Sequence, residues 1–479
     1  TNIGELMPLI LPGNVATATA STGYEVANSC MFNAADSAYL TRTFGSAGNR
    51  QKWTFSTWCK RCKFGAQQTL FGTSSGSSAY HLFYWGSDDT LVHNYNGTVT
   101  NASTGTGSVF RDPSAWYHVV CAVDTTQGTA ANRVKLYVNG VSVGSGSYPD
   151  EDEEMTLNNN VRCDVGSSGA HFTSHMLGGY LAETVFIDGT QYAASDFGEF
   201  DEDSPTIWKP KDVSGLTFGT NGFWFDYEAS DNLGNDANGG TDWTENNLAA
   251  TDQATDTCTN NFCVMNPLDN YYQGSTFSQG NLQVVMDTSG VESYNTGTFA
   301  VSKGKWYCEV KYSAASSKTI TGVASELSKA IGTVLANEEY TWGYEGENGN
   351  AKNDGNGVSY GDSYTTNDII SIALDLTNNK VYFAKNGTWQ NSGDPTSGAT
   401  GTGAAHSVTA VASTRDGVYY FGSGKRHADS VTSQWNFGGC PAFSISSGNA
   451  DDNGYGNFEY DVPADYLSLC TKNLGSDGG

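Results

Sequence analysis

The sequence predicts an all-β protein: two antiparallel β-sandwiches joined by an ordered connector. Three observations predict it. Short runs rich in aromatics and Thr alternate apolar with polar side chains, the two-residue period of a strand with one buried face. Gly, Asn and Asp punctuate these runs as turns do, and Gly alone supplies 57 of the 479 residues. Aromatics make up 12% and charged residues only 16%, enough apolar bulk to fill cores that a disordered acidic chain lacks.

The elements follow in order. Residues 1–27 are a Gly/Thr/Ala-rich leader without a period. Its apolar stretch, Leu6-Met7-Pro8-Leu9-Ile10-Leu11-Pro12, reads as too short and Pro-broken for a signal peptide, and no basic region precedes it. Residues 28–190 read as the first sandwich, with strands expected over 52–60, 68–71, 81–84, 115–123, 133–138 and 179–187. Asp88-Asp89, Asn96-Gly97, Asn139-Gly140 and Asp188-Gly189 are the turns between them. Asn-Gly suits a type I′ hairpin because both residues tolerate positive φ. Residues 191–270 form the connector, whose Asn/Asp/Thr-rich tract from Asp231 to Thr259 is too poor in apolar residues for a core of its own. It is expected to wrap on its neighbours. Alternation returns over 271–460, in 305–310, 369–374 and 380–384, with Asn386-Gly387 closing a hairpin. Residues 461–479 carry an amphipathic patch and a Gly-rich end. No fixed-period repeat is visible, which argues against a solenoid.

Charge excludes several functions. Lys+Arg is 24 against 51 Asp+Glu, a net −27. A nucleic-acid binder needs a phosphate-neutralising surface, and an anionic bilayer attracts a basic one. No run approaches the ~18–20 apolar residues of a membrane-spanning helix, so no membrane insertion is expected. The ten cysteines are scattered singly apart from Cys59-Lys60-Arg61-Cys62. A tetrahedral zinc site needs a second such pair, and none exists. In an extended strand Cys59 and Cys62 point to opposite faces. The ten read as core thiols, with one or two disulfides left open.

Catalytic signatures are weak. A glycosidase needs two carboxylates about 5–10 Å apart. The run Asp150-Glu151-Asp152-Glu153-Glu154 follows Pro149, lacks interleaved apolar residues and reads as a solvated loop, as does Glu345-Gly346-Glu347. No G-x-S-x-G elbow is evident, since Gly72-Thr73-Ser74-Ser75-Gly76 and Gly140-Val141-Ser142-Val143-Gly144 lie in strand-and-turn sequence, and G-x-x-x-x-G-K-[ST] is absent. His118 lies on a core-type strand, and His171 and His175 lack an evident third ligand. The chain is therefore expected not to be an enzyme.

Two segments carry family resemblances. Trp116-Tyr117-His118-Val119-Val120, Leu136-Tyr137-Val138-Asn139-Gly140 and Phe55-Ser56-Thr57-Trp58 with Lys60-Arg61 make residues 28–190 resemble laminin-G-like or pentraxin-like concanavalin-type jelly rolls. The second half resembles a SPRY-type domain, also a concanavalin-like sandwich. Its carriers are Gly304-Lys305-Trp306-Tyr307-Cys308-Glu309-Val310, Val358-Ser359-Tyr360-Gly361-Asp362-Ser363-Tyr364, Ala373-Leu374-Asp375-Leu376 and Val381-Tyr382-Phe383-Ala384-Lys385-Asn386-Gly387. The whole arrangement resembles virion surface or tail-fibre proteins of tailed, marine-type phages. That likeness rests on Ala182-Glu183 through Ile187-Asp188-Gly189, Gly219-Thr220-Asn221-Gly222-Phe223, Asp256 to Phe262 with Asn266-Pro267-Leu268, and 463–474.

The resemblance implies sites. Laminin-G-like and pentraxin-like folds often carry Ca²⁺ at the sandwich rim, where Asp, Asn and carbonyl oxygens suit a hard cation. The candidates are Asp150, Asp152, Asn158 and Asp164, and separately Asn353, Asp354 and Asn356. Glycan binding calls for exposed aromatics beside amides and carboxylates. Trp85, Tyr95, Trp342, Tyr344 and Trp389 are expected to be such loop aromatics. SPRY-type domains bind partners through loops at one end, which here are 341–357 and 388–403. The function implied is a non-catalytic tail-fibre or adhesin module on the virion surface, binding a host surface glycan or receptor. Other virion proteins and further copies of the chain are its expected partners. The alternative is a structural subunit of a capsid decoration, head fibre or filament. A polysaccharide-degrading enzyme is a third reading, and the carboxylate pair it needs is not found.

Overall fold

The computed structural model describes residues 23–76, 79–96, 101–169, 174–269, 274–286, 292–315, 319–327, 334–426 and 430–477. Most of the leader, Gly97 and His171 lie outside them. Among the described residues most strands form two sandwiches, each of two sheets that are antiparallel but for the short Leu467–Ser468, and Gly198–Phe200 pairs with Trp208–Pro210 as a separate ribbon.

The first sandwich opposes two eight-stranded sheets. One centres on Lys52–Arg61, flanked by Trp116–Asp124 and Gly179–Asp188. The other carries Gln68–Gly76, Ala79–Trp85 and Leu91–Asn96. Alternation along Lys52–Arg61 explains the layering. Trp53, Phe55 and Cys59 enter the core between the two sheets. Trp58 points to the opposite face and is equally buried. So are Trp116 and Tyr180 on the neighbouring strands.

The second sandwich covers that outer face. Trp58, Trp116, Tyr180 and Ala182 share one hydrophobic cluster with Leu282, Val284, Trp306 and Trp435. The two sandwiches are thus packed through a common core. The second is built on Lys305–Ala314 between Ile369–Asp375 and Val431–Asn436, facing a six-stranded sheet around Thr319–Ala324.

Residues 191–270 do more than link. Phe223–Phe225 pairs with Gly179–Asp188, Thr244–Asn246 with Tyr39–Thr43, and Gln253–Ala254 with Ser29–Phe32. The segment therefore adds strands to both sheets of the first sandwich. A buried polar knot fixes its far end. Lys60 Nζ donates to Asp256 Oδ2 (2.7 Å), Asn261 Oδ1 (2.8 Å) and the Phe262 carbonyl (2.7 Å). Trp116 Nε1 donates to the other Asp256 oxygen (3.1 Å), and Asn261 Nδ2 to the Ser114 carbonyl. The ion pair is fully desolvated, so its hydrogen bonds are what make it tolerable.

All ten cysteines are free and buried, which resolves the open disulfide question in favour of core thiols. Cys59 and Cys62 belong to different cores, on opposite faces of their strand.

Candidate binding cleft

Four of the five expected ligand aromatics are core residues, a correction to the sequence reading. Trp85 is fully buried at the end of Ala79–Trp85, with the Arg61 guanidinium 4.7 Å from its ring centre. Tyr95 is buried in Leu91–Asn96 and donates to Glu153 Oε1 (2.8 Å). Trp342 and Tyr344 are buried in Thr341–Glu345, against Tyr419 and Phe383 respectively. The reason is common to all four. Each lies within a strand and not in the loop beyond it, Trp85 at the last position, so its ring packs into the sandwich. Trp389 is half-buried against the cluster of Tyr307, Tyr382, Phe458 and Tyr466.

The expected calcium ligands are not gathered. Asp150 and Asp152 are exposed in a turn whose neighbours Glu151 and Glu154 pair with Arg133 and Arg50. Asp164 is fully buried, ion-paired to Arg162 (2.8 Å), and accepts from Thr41 Oγ1 (2.6 Å). Asn158 donates to Asp188 instead (2.6 Å). Asp354 is exposed at the tip of the hairpin between Asn350–Asn353 and Asn356–Ser359. Among the described residues no three His, Cys, Asp or Glu side chains could hold a metal ion together.

The structure opens a cleft elsewhere, of about 240 Å³, where the two sandwiches meet. The first sandwich contributes Asn33, Lys63 and Gly178; the second contributes the turn from Phe277 to Asn281. That turn joins Thr276–Ser278 to Gln283–Met286. Gln279, Gly280 and Asn281 all have positive φ (52°, 61° and 64°). Gly is required at the middle one, because a Cβ there would overlap the Tyr180 hydroxyl. Tyr180, from the first sandwich, donates that hydroxyl to the Gly280 carbonyl (3.2 Å) and so holds the turn against the joint.

The polar groups of the cleft differ in how they are used. Asn33 Nδ2 donates to Asp36 Oδ2 (2.6 Å) and its Oδ1 accepts from the Ala35 amide, so its side chain is satisfied. Lys63 is exposed and, among the described residues, has no carboxylate partner. Asn281 is 1% exposed, and neither its Nδ2 nor its Oδ1 has a hydrogen-bond partner. Burying an amide with both ends unmet costs about 1–3 kcal/mol per group, so such a side chain calls for an explanation. The Phe277 ring is half-buried at the rim. Sequence reasoning missed these residues. The Gln279-Gly280-Asn281 turn is readable, but nothing local shows that it faces Tyr180 and Lys63.

Two further buried polar centres lie outside the cleft. Glu183 sits at a register shift in Gly179–Asp188 with φ 47°. It accepts from Tyr24 Oη (3.3 Å) and Trp224 Nε1 (3.0 Å). Burial pushes its carboxyl up to about 8. His118 accepts on Nδ1 from Trp208 Nε1 (3.0 Å), so its proton is on Nε2, which donates to Ser56 Oγ (2.8 Å). Burial lowers its pKa to about 3.

Comparison with known families gives the class. Residues 33–197 match the model of the concanavalin A-like lectin/glucanases superfamily, in its laminin-G form. Residues 305–422 match the SPRY domain model. Two stretches of the chain are thus similar to a laminin-G-like concanavalin sandwich and to a SPRY sandwich, domains that fit a non-catalytic binding module for carbohydrate or protein. The individual relatives are distant. A Ran-binding proteins 9/10 homolog of Drosophila melanogaster is 26% identical over 118 residues, 23% of this chain and 12% of that protein. The SPRY domain of human HERC1 is 16% identical with a TM-score of 0.28, covering 37% of this chain and 97% of the domain. A Bacteroides ovatus protein described provisionally as carbohydrate-binding is 14% identical with a TM-score of 0.32, covering 47% of this chain and 60% of its own.

Proposed function

We propose that the chain is a non-catalytic surface protein of a tailed-phage virion, a tail-fibre or adhesin module that binds a host surface glycan or receptor. The observation that carries the binding part is the cleft between the sandwiches, with its unpartnered amide and half-buried ring. The virion part is supported by the phage-like segments, two of which close the edge of the first sandwich while two others meet at the joint. Asp188 accepts from the Asn221 amide (3.1 Å) and donates its own amide to the Phe218 carbonyl (2.8 Å). Asp256 and Asn261 bind Lys60, and Thr471 of the C-terminal segment donates its amide to the Asn261 carbonyl (2.8 Å). The resemblance therefore concerns the welded two-sandwich unit and not one sandwich alone. Repetition of that unit on a particle would let weak sites act together.

The structural-subunit reading draws on a different feature. Asn356–Ser359 is exposed throughout at the edge of its sheet, and Val358 is 61% exposed. An open edge is a template for pairing with another chain. Electron microscopy of intact particles with an antibody to this chain separates the readings. Label on tail tips or fibres supports the adhesin. Label over a capsid shell or along a filament supports the subunit, and no label on any particle refutes the virion assignment.

A further inference from the structure

We propose that the cleft between the sandwiches binds a single carboxylate-bearing sugar residue, a uronate or a sialate, presented on a host surface glycan. This rests on the glycan-binding reading above and gives it a site and a ligand class.

Size comes first. At about 240 Å³ the cleft is smaller than the ~300–1,000 Å³ of a site for a drug-sized ligand. It has room for one sugar ring, with the rest of the glycan left in solvent. The chemistry of the walls is mixed in the way a sugar requires. The half-buried Phe277 ring offers an apolar face to the C–H side of a pyranose. Asn281 offers one acceptor and two donor hydrogens, none used within the protein. A ring hydroxyl or an acetamido group supplies the matching pair. The amide has no open surface in the empty cleft, so binding requires a rotamer change at the rim, of a kind common on complex formation.

Lys63 selects the charge. The chain carries −27 overall, yet this ammonium stands at the cleft without a carboxylate of its own. Gly178 allows it to lie close, since a Cβ there would be 3.0 Å from Lys63 Cβ. Asp36, the acid held by two cleft-lining amides, Asn33 Nδ2 (2.6 Å) and Gln279 Nε2 (3.4 Å), forms no ion pair with Lys63, which keeps its charge for a ligand. The long-range field repels an anion, and salt screens that field within about 10 Å at 0.1 M, while a contact pair is screened much less. Binding is therefore expected to tolerate, and to be helped by, moderate salt.

The test uses the full chain on a panel of immobilised neutral and acidic glycans, with free glucuronate and N-acetylneuraminate as competitors and glucose as control. Two variants accompany it. N281G removes the amide while glycine adopts φ 64° freely, so its melting temperature should not fall. K63Q removes an exposed, unpaired charge. The expected result is binding to acidic glycans, competed by glucuronate or N-acetylneuraminate and not by glucose, weakened at least tenfold in each variant. Acidic-glycan binding unchanged in both variants would place the site elsewhere and leave the adhesin reading standing. Equal binding of neutral glycans would refute the ligand class. No glycan bound by the intact chain would refute the glycan reading itself.

Discussion

Acidification should destabilise this fold between pH 7 and 5, and three buried histidines set the size of the effect. His118 is fully buried, and a second proton would fall on the Nδ1 that now accepts from Trp208. His81 and His93 face each other, Nε2 to Nε2 at 2.7 Å, so they share one proton, and each Nδ1 lacks a partner. Burial lowers His93 and His118 to about 3, and burial with the facing His93 holds His81 well below its ordinary value. The unfolded histidines titrate near 6.5. Between 6.5 and the folded values the unfolded chain binds more protons, so stability falls as pH falls. One pH unit is worth about 1.36 kcal/mol per group. At pH 5 the loss is about 2 kcal/mol for each histidine and about 6 for the three. Glu183 opposes it. Its folded value near 8 lies above the unfolded one, so the native state binds the extra proton and gains about 2–3 kcal/mol from pH 7 to 5. His406, lowered to about 4, adds to the loss and Asp252, raised to about 6, offsets part of it, so the net loss is about 3–4 kcal/mol. Urea unfolding followed by tryptophan fluorescence at pH 7, 6 and 5 measures it. H118N should cut the loss by about 2 kcal/mol, and E183Q should enlarge it to about 6. A wild-type curve flat from pH 7 to 5, unchanged in both variants, would refute the reasoning.

Three other outcomes are expected. K60M should lower stability by about 3–5 kcal/mol in urea unfolding, because it strands the buried Asp256 carboxylate, and K60M/D256N should recover part of the loss. Ellman's reagent at pH 8 should find no fast thiol in the native chain and all ten after unfolding, with a melting temperature indifferent to reductant; burial raises Cys59 and Cys440 to about 12. G280A should lower the melting temperature by forcing the turn off the Tyr180 hydroxyl and ring edge and by straining a φ of 61°.

The fold was readable where the two-residue period was strong. The run expected over 52–60 is the strand Lys52–Arg61, and the alternation of Trp53 and Phe55 with Trp58 does divide two faces. That both faces are buried was not readable. A strand with one wet face and a strand covered by a second sandwich share the same β-formers, and only the Trp content of the outer face hints at a cover. The ligand aromatics failed for a related reason. Trp85 and Tyr95 lie near turn signals, and an aromatic there suits a sugar face or a core equally well. Which it meets depends on whether the strand continues one more residue, a matter of register with the facing strand: Trp85 pairs with Gln68 and Leu91. Asp164 was misread by composition, since in an Asn/Asp-rich chain an acid paired to Arg162 two residues away looks like any other.

The cleft escaped for a deeper reason, which also bears on how it would work. Its two walls are far apart in sequence, Lys63 on one and Asn281 on the other, and they meet only because Trp58, Trp116 and Tyr180 bury their outer face in the second sandwich. A cleft made this way is as rigid as the joint. Its shape is fixed by the shared core and by the Lys60–Asp256 knot, not by loops that must order on binding, so little conformational entropy is lost when a ligand enters. Loosening the joint with K60M should therefore weaken glycan binding even though Lys60 is not among the residues lining the cleft, whereas a site on the end loops of either sandwich would not feel that change.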